Sequence, residues 1–274
     1  MIRSSSEITP ETRVIDLEGW RLESPSEREA KRRFVKHEGL SLKQKEFVFM
    51  RRDFLNETKE GLSLGEVGLL LFLARYMKLG DEGKLTHKGK RLSITEIAKL
   101  IGKTDRQVRT IITELEKRSL LFKVKEGRSV YVDLSEDLFV CGSLNGKDND
   151  TVKVFKVKLA EVAKKLSLNE LGLFMLMLNH MHWKTHVLCD NPDEKETEQL
   201  ILWRRKDLCE ALGASRNFVN ATLRKLRELK AIAEVKTVNE GIVLHPSIVS
   251  RQRVASWDSI VNAIDNGLTK DNYK

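Results

Sequence analysis

One sequence pattern occurs twice in this chain, just over one hundred residues apart, and it constrains the fold more than any other feature. The first copy begins Leu62-Ser63-Leu64-Gly65-Glu66-Val67-Gly68-Leu69, and the second begins Leu166-Ser167-Leu168-Asn169-Glu170-Leu171-Gly172-Leu173. Five of the first seven positions are identical. The sequence after each start predicts an apolar helix, then a helix–glycine–helix unit, then a short basic hairpin. We therefore expect two related folding units in one polypeptide.

The predicted elements follow the same order in both copies. In the first copy they are a strand at 47–50, a helix capped by Ser63, a polar loop at 79–90, a helix at 94–101 capped by Ser93, a helix from Thr104 onwards, and a hairpin at 122–132. In the second copy they are a strand at 151–159, a helix at about 168–182, a longer insertion at 186–199, helices at 206–212 and 215–229, and a hairpin at 232–244. A helix-turn-helix followed by a hairpin predicts a winged helix, so the expected fold is mainly α with small β-wings, as a tandem duplicated winged helix-turn-helix.

An alignment of the two turn glycines, Gly102 and Gly213, relates the two helix-turn-helix units in detail. It pairs Thr104 with Ser215, Val108 with Val219, and Leu115 with Leu226. Glycine is favoured where a helix ends in left-handed geometry. The apolar skeleton is retained while the exposed residues differ, as we expect of two related scaffolds that recognise different partners.

Composition divides the chain into five segments and places it in a compartment. The segments are an arm at 1–45, a first domain at 46–140, a Gly/Asn/Asp-rich linker at 141–150, a second domain at 151–250, and a C-terminal helix and tail at 251–274.

The longest apolar run, Leu69 to Ala74, is shorter than the ~18 residues of a membrane helix. Met1–Ser6 lacks the apolar stretch of a signal peptide. The three cysteines are too few for a disulfide framework. A cytoplasmic protein is expected.

The positive charge is concentrated on the predicted helix-turn-helix units. The formal net charge is +9; residues 103–125 carry seven Lys/Arg and three Asp/Glu, and residues 204–230 carry eight and three. These two stretches account for the excess of the whole chain. Localised positive charge on the second helix of a helix-turn-helix indicates a polyanionic partner, and double-stranded DNA is the partner we expect. Such a protein is nucleoid-associated.

The second helix of each unit supplies the predicted DNA contacts, because its N-terminal part enters the major groove. Arginine suits guanine, and asparagine or glutamine suits adenine. The predicted DNA-binding residues, with the basic wing residues included, are Thr104, Asp105, Arg106, Gln107, Arg109, Thr110, Lys125, Arg128, Ser215, Arg216, Asn217, Asn220, Arg224 and Lys236. Phosphate contacts are predicted for Lys103, Lys117, Arg118, Arg204, Arg205 and Lys206, and Lys123 is a further wing candidate.

Two segments outside the repeats leave alternatives open. Ser26 and Glu29 form a capping-box pattern and predict a helix over about 27–36, whose basic residues either follow a DNA backbone or face solvent. A last helix is predicted at about 253–266, with an apolar stripe that includes Val254, Trp257 and Ile260. That stripe packs either on its own chain or on a second copy, which would make a homodimer.

Motifs for catalysis are missing from the sequence, so we expect no enzymatic activity and no cofactor. There is no phosphate-binding G-x-x-x-x-G-K-[ST] motif. The histidine pair His180 and His182 has the spacing of a nicking-enzyme metal motif, but on a helix these side chains diverge. His182, His186 and Cys189 are weak candidates for a metal site. The alternative, a partly buried helix end and loop, is preferred.

Two families resemble parts of this chain. Leu92–Tyr131 resembles winged-helix regulators of the multiple-antibiotic-resistance-repressor type, through Ser93–Ala98, the Gly102 turn and Glu114–Arg118. The same segment, the tandem layout and Leu166–Glu170 resemble replication proteins of plasmids and phages of Gram-positive bacteria. The resemblance covers about residues 45–250. The regulators usually carry one winged helix per subunit, whereas this chain carries two.

These resemblances imply a function for the predicted DNA reader. We expect a protein of a mobile element that binds a bipartite or repeated site and acts as a transcriptional regulator. The alternative is a replication initiator that marks origin repeats. Transcription or replication machinery is the implied protein partner. In both interpretations the chain binds DNA without covalent chemistry.

Overall fold

The structure, a computed structural model, describes residues 47–58, 60–80, 82–142, 144, 150–234, 241–252 and 255–273. Some of the predicted features lie outside the described residues: the arm at 1–45 with its helix at 27–36, residues 143 and 145–149 of the linker, Lys236 and Val254. The described residues belong to one compact unit.

Helices make up most of the regular structure in the described residues. They are α1 (Arg52–Thr58), α2 (Leu64–Ala74), α3 (Ile94–Ile101), α4 (Asp105–Lys117), α5 (Lys156–Ala163), α6 (Leu168–Met177), α7 (Arg205–Ala211), α8 (Arg216–Glu228) and α9 (Trp257–Gly267). Short 3₁₀ turns lie at Leu178–His180, Thr197–Gln199 and Lys270–Asn272. Within the described part of the chain, none of the helices has both the length and the apolar character needed to cross a membrane.

The strands form one four-stranded sheet and three hairpins, all antiparallel. They are β1 (Phe47–Arg51), β2 (Thr86–His87), β3 (Lys90–Arg91), β4 (Leu121–Glu126), β5 (Ser129–Leu134), β6 (Phe139–Val140), β7 (Thr151–Phe155), β8 (Ile232–Glu234), β9 (Ile242–Leu244) and β10 (Val249–Ser250). The sheet order is β10-β7-β1-β6, and the hairpins are β2-β3, β4-β5 and β8-β9. The expectation of a largely helical chain with small sheets is confirmed.

The two middle strands of the sheet, β1 and β7, pair symmetrically. Val48 lies opposite Val154, and Met50 lies opposite Val152. Val152 and Val154 stand 104 positions after Val48 and Met50. If each residue is replaced by its counterpart 104 positions away, each of the two pairs becomes the other, so the pairing is symmetric. All four side chains are fully buried. The pairing is that of two strands related by a local two-fold axis.

Helices α2 and α6 cross with the same symmetry, at a pair of glycines. A Cβ placed on Gly68 would lie 1.7 Å from the carbonyl oxygen of Leu168, and one placed on Gly172 would lie 1.9 Å from that of Leu64. Gly172 and Leu168 stand 104 positions after Gly68 and Leu64, so the two contacts are equivalent under the same offset. No side chain fits at either position, so the helix backbones touch directly. The apolar residues around this crossing form one core cluster that spans both sequence copies.

Backbone hydrogen bonds recur at equivalent places in the two copies. The amide of Leu134 donates to the carbonyl of Gly83, and the amide of Leu244 donates to that of His186, at 2.9 and 3.0 Å. Both acceptor residues have a positive φ, 76° for Gly83 and 56° for His186. A left-handed conformation is uncommon for a residue other than glycine. Its recurrence at His186 indicates that the two chain paths are equivalent there.

The strand predicted at 151–159 is wrong beyond Phe155, where α5 begins. The apolar residues Leu159, Val162 and Ala163 are buried at helical spacing, not at the alternating spacing of a strand. Lys156 is also buried, and its ammonium donates to the carbonyl oxygen of Met77 at 2.6 Å. No local pattern in the sequence indicates this long-range hydrogen bond.

Three further boundaries differ from prediction. Helix α1 follows β1 directly and has no counterpart among the predicted elements. The helix predicted at 168–182 ends at Met177 and continues only as a 3₁₀ turn. The predicted polar loop at 79–90 contains β2, which pairs with β3.

The C-terminal helix α9 packs on its own chain. Ile260 and Ile264 are fully buried, and they join a small cluster with Val187, Leu202 and Val243. Ser256 caps the helix. Of the two alternatives for this apolar stripe, packing within the chain is therefore the one observed.

Candidate nucleic-acid interface

The first helix-turn-helix unit consists of α3, the turn at Gly102 and α4. Ser93 and Glu96 form a reciprocal capping box at the start of α3. Gly102 ends that helix with a φ of 66°, a left-handed conformation that glycine adopts without steric cost. Helix α4 buries Val108, Ile112 and Leu115 against the core. The opposite face of α4 is therefore left to solvent.

The second unit repeats this arrangement with α7, Gly213 and α8. Gly213 has a φ of 59°. The hydroxyl of Ser215 caps α8 by accepting from the amide of Phe218. Val219, Leu223 and Leu226 are buried. The predicted equivalence of Val108 with Val219 and of Leu115 with Leu226 therefore agrees with their burial.

Two arginines dominate the outward face of α4. Arg106 and Arg109 are exposed, and neither forms an ion pair or side-chain hydrogen bond with the residues that the structure describes. They line a shallow depression with Thr110, Thr113 and Glu114. The Thr110 hydroxyl donates to the backbone carbonyl of Arg106 at 3.1 Å. This face therefore exposes two guanidinium groups that no described residue neutralises.

Three other predicted contacts on α4 bind the protein itself. Gln107 accepts from the amide and hydroxyl of Thr104, at 3.1 and 3.2 Å, and the Thr104 hydroxyl accepts from the Gln107 amide. Asp105 accepts from the hydroxyl of Thr95 at 2.6 Å, which ties α4 to α3. These side chains therefore cap the N-terminus of α4 and fix its orientation relative to α3.

The outward face of α8 carries a different set of side chains. Arg216, Asn217 and Arg224 are exposed, and none of them forms an ion pair or a side-chain hydrogen bond with a described residue. Asn220 is half-buried, and its amide oxygen is buried with no donor among the described residues. A bidentate contact from Asn220 to adenine therefore requires rotation of its side chain.

The two outward faces place unlike residues at equivalent positions. Aligning Gly102 with Gly213 sets Arg106 against Asn217 and Arg109 against Asn220. Guanine is the usual partner of arginine, and adenine that of asparagine. The two surfaces therefore differ in hydrogen-bonding chemistry while sharing a scaffold.

The hairpin β4-β5 follows α4 and is held at its base by one arginine. Its two-residue turn begins at Gly127, which has a φ of 60°. Lys125 and Arg128 are exposed. Arg91 donates to both carboxylate oxygens of Asp133, at 2.7 and 2.8 Å, and also binds Glu126. The hydrogen bond with Asp133 raises the pKa of Arg91 above its usual value.

Several basic residues with predicted phosphate or wing contacts bind groups within the protein. Arg118 donates to the carbonyl oxygen of Glu60 at 2.6 Å and so fixes the loop before α2. Lys117 pairs with Glu114, and Lys123 pairs with Glu116, at 2.7 and 2.6 Å.

Of the other residues with predicted phosphate contacts, Lys103 and Lys206 are exposed. In the second unit, the guanidinium of Arg204 lies 5.0 Å from the centre of the Tyr273 ring.

One ion pair connects α8 to the symmetric pair of helices α2 and α6. The ammonium of Lys225 on α8 binds the carboxylate of Glu170 on α6 at 2.6 Å. Glu170 is buried and also accepts from the amide of Ser167. Burial opposes its ionisation, but the hydrogen bonds from Lys225 and Ser167 keep its pKa below the usual value. The orientation of α8 is therefore coupled to the core.

The histidine and cysteine candidates are not assembled into a metal site. Both ring nitrogens of His182 are occupied, by the hydroxyl of Thr185 at 2.8 Å and the carbonyl of Glu194 at 2.9 Å. Burial lowers the pKa of His182 and of His186 to about 4, and raises the pKa of the Cys189 thiol to about 12. Among the described residues, no group of three His, Cys, Asp or Glu side chains is arranged to hold a metal ion. The cluster packs the loop after α6.

Comparisons with models of protein families, with curated proteins and with solved structures gave no match to this chain.

Proposed function

We propose that this chain is a sequence-specific double-stranded DNA-binding protein that recognises a bipartite or repeated site through two winged helices. One observation carries the proposal. Each of two helix-turn-helix units presents, on the outward face of its second helix, arginines with no partner among the described residues, and each unit is followed by a hairpin. Unpaired cations on such a face are suited to phosphates and base edges.

The recurrence of the backbone supports the duplication in this proposal. The order strand, two helices, helix-turn-helix and hairpin occurs in residues 47–134 and again in 151–244. Both copies have a left-handed residue just after the second helix of the unit, Ser119 with a φ of 56° and Lys230 with 54°. Two copies of one scaffold give two readers of similar shape.

The local two-fold symmetry supports a geometry for the site. Because β1 pairs with β7, and α2 with α6, by the same exchange, the two reading helices lie on the same face of the duplex and run in opposite directions if they follow that axis. Two reading helices related in this way match two half-sites that are inverted relative to each other. The half-sites differ in sequence, since Arg106 and Arg109 are replaced by Asn217 and Asn220. A single chain then fills the role that a homodimer fills in one-domain regulators.

The process we propose is transcriptional regulation in a mobile element, in which occupancy of a promoter is sufficient for function. Replication initiation is the second candidate. It is favoured by the shared core of the two readers, because one chain is then a complete unit that can be repeated along an array of origin sites. In both cases the mechanism is binding, and the transcription or replication machinery is the further partner.

The test is selection of bound DNA from genomic fragments with the full-length chain. Enrichment of a bipartite site that overlaps promoters supports the regulator. Enrichment of direct repeats beside an A·T-rich tract supports the initiator. No enrichment of any duplex DNA overturns the proposal in both forms. A salt titration accompanies the selection, because neutralised phosphates make binding fall steeply with salt.

A further inference from the structure

A second basic hairpin lies beside the first reader, outside the predicted DNA-binding residues. Strands β2 and β3 are joined by Lys88 and Gly89, whose φ angles are 51° and 76°. The hairpin carries His87, Lys88, Lys90 and Arg91 and no acidic residue. The sequence Lys88-Gly89-Lys90-Arg91 is its only local signal, and its strands are too short to stand out from a polar loop.

Arg91 places this hairpin next to the wing. It binds Asp133 on β5 and Glu126 at the end of β4, and its guanidinium lies 5.1 Å from the centre of the Tyr131 ring. Lys90 lines a common depression with Ser129 of the wing. The hairpin and the wing therefore form one continuous surface beside the N-terminus of α3.

The lysines of this surface, Lys88, Lys90 and Lys99, form no ion pair with any described residue. Together with His87 they line a concave surface over Leu92 and Leu100. The one carboxylate there, Glu96, is bound by Ser93. The hydrogen bond from the Ser93 backbone, together with the charges of Lys90 and Lys99, lowers the pKa of Glu96.

The equivalent place in the second copy has the opposite charge. The amide of Leu92 donates to the carbonyl of Leu85, and in the same way the amide of Trp203 donates to that of Leu188. Between Leu188 and Trp203 the chain carries five acidic residues and only Lys195 as a base. The scaffold therefore does not require a basic segment here.

The acidic segment of the second copy forms ion pairs within the protein, whereas Lys88 and Lys90 form none with the described residues. Asp193 binds Arg52 and Arg251, whose side chains are 4% and 6% exposed. These hydrogen bonds hold the pKa of Asp193 at about 2, although partial burial opposes its ionisation. Lys88 and Lys90 hold nothing comparable within the described residues.

We propose that the β2-β3 hairpin is a second wing, which binds backbone phosphates flanking the first half-site and has no counterpart at the second. This inference rests on the proposed function, since the phosphates are those of the bound duplex. Lysine is a point charge suited to phosphate, and such contacts add affinity without reading sequence. The complex is then asymmetric, because the protein contacts additional DNA phosphates beside the first half-site and not beside the second.

The test compares the full-length wild type with the double variant Lys88→Ala/Lys90→Ala on the selected site. Both lysines are exposed, so folding should be retained, as checked by thermal unfolding. The matched control is Lys164→Ala/Lys165→Ala, which removes the same charge from the exposed end of α5. Binding is measured from 50 to 200 mM salt, with a hydroxyl-radical footprint of each complex.

The hairpin variant should show a shallower salt dependence, by about 0.9 in the log–log slope for each phosphate that the two lysines neutralise in the wild type. Over this salt range, its affinity should fall roughly 3.5-fold less than that of the wild type for each such phosphate. Its footprint should shorten only at the flank of the half-site read by α4. A slope and footprint equal to those of the wild type overturn the second wing and leave the proposed function standing. A wild type that binds no duplex overturns both.

Discussion

Gly68 and Gly172 meet where α2 crosses α6, and a Cβ on Gly68 would lie 2.9 Å from the backbone nitrogen of Gly172. Each glycine exposes its backbone to that of the opposite helix, so the two sequence copies are joined main chain to main chain. The symmetric β1-β7 pairing lies in the same unit. The spacing of the two candidate readers is thereby set by a rigid contact and not by a flexible linker.

The glycine crossing predicts a large effect of one added methyl group. Gly68→Ala should lower the free energy of unfolding by about 3 kcal/mol or more, because the new Cβ meets backbone that cannot rotate away. Gly65→Ala is the control on the same helix, since its Cβ would meet side-chain atoms and no backbone: the amide oxygen of Asn169 at 3.0 Å and the hydroxyl of Ser63 at 3.9 Å. Urea unfolding of both variants provides the measurement. Equal, small decreases for the two would contradict the close crossing.

The proposal of two DNA-reading helices, α4 and α8, predicts separable effects on DNA binding. Arg106→Ala with Arg109→Ala should remove protection at one half-site and leave the other protected. A bidentate arginine–guanine contact contributes about 1–3 kcal/mol, so affinity should fall by at least about tenfold. Footprinting of this variant beside Lys164→Ala/Lys165→Ala separates impaired recognition from reduced charge. Protection that disappears evenly over both halves would argue against two readers.

The buried histidines predict acid sensitivity. Burial holds the pKa of His182 and His186 at about 4, below their usual 6.5, so the unfolded chain binds protons that the folded chain excludes. The contribution of these neutral, buried rings to the free energy of unfolding is fully present above about pH 6.5. It is lost as the pH falls towards 4, with a slope approaching about 1.4 kcal/mol per pH unit for each histidine. Denaturant unfolding at pH 5 and pH 7 measures it. Ring NMR signals of His182 and His186 that titrate near pH 6.5 would refute this explanation.

Packing of α9 within its own chain predicts a monomeric reader. Ile260 and Ile264 are already buried, so the free chain should sediment as a monomer, and one chain should occupy one bipartite site. Analytical ultracentrifugation with and without the selected duplex gives both values. Two chains on a minimal site would show that a second copy completes the reader.

The local elements of the candidate site are predictable from the sequence because their signals are local. Ser93 and Gly102 predict helix α3 with its observed ends, since caps and turn glycines act within a few residues. The alignment of Gly102 with Gly213 likewise predicts the burial of Val108 and Val219. These features need no knowledge of distant contacts.

The remaining features depend on long-range contacts that no local pattern records. The sequence of α5 predicts a strand, whereas in the fold Lys156, the first residue of this helix, is buried and donates to the carbonyl oxygen of Met77, 79 residues away. The charge of Arg118 predicts a phosphate contact, although this side chain binds the carbonyl of Glu60, far away in sequence. Charge indicates what a side chain can bind, but only the fold shows whether a partner inside the protein has already taken it.

The most direct test of two readers in one chain is a hydroxyl-radical footprint of the full-length wild type on its highest-affinity genomic site. The account predicts two protected blocks on one face of the duplex, with unlike sequences. Their centres should lie one helical turn of about 10–10.5 base pairs apart, or a multiple of it. A single protected block, or no site that is preferred over random duplex, would contradict it.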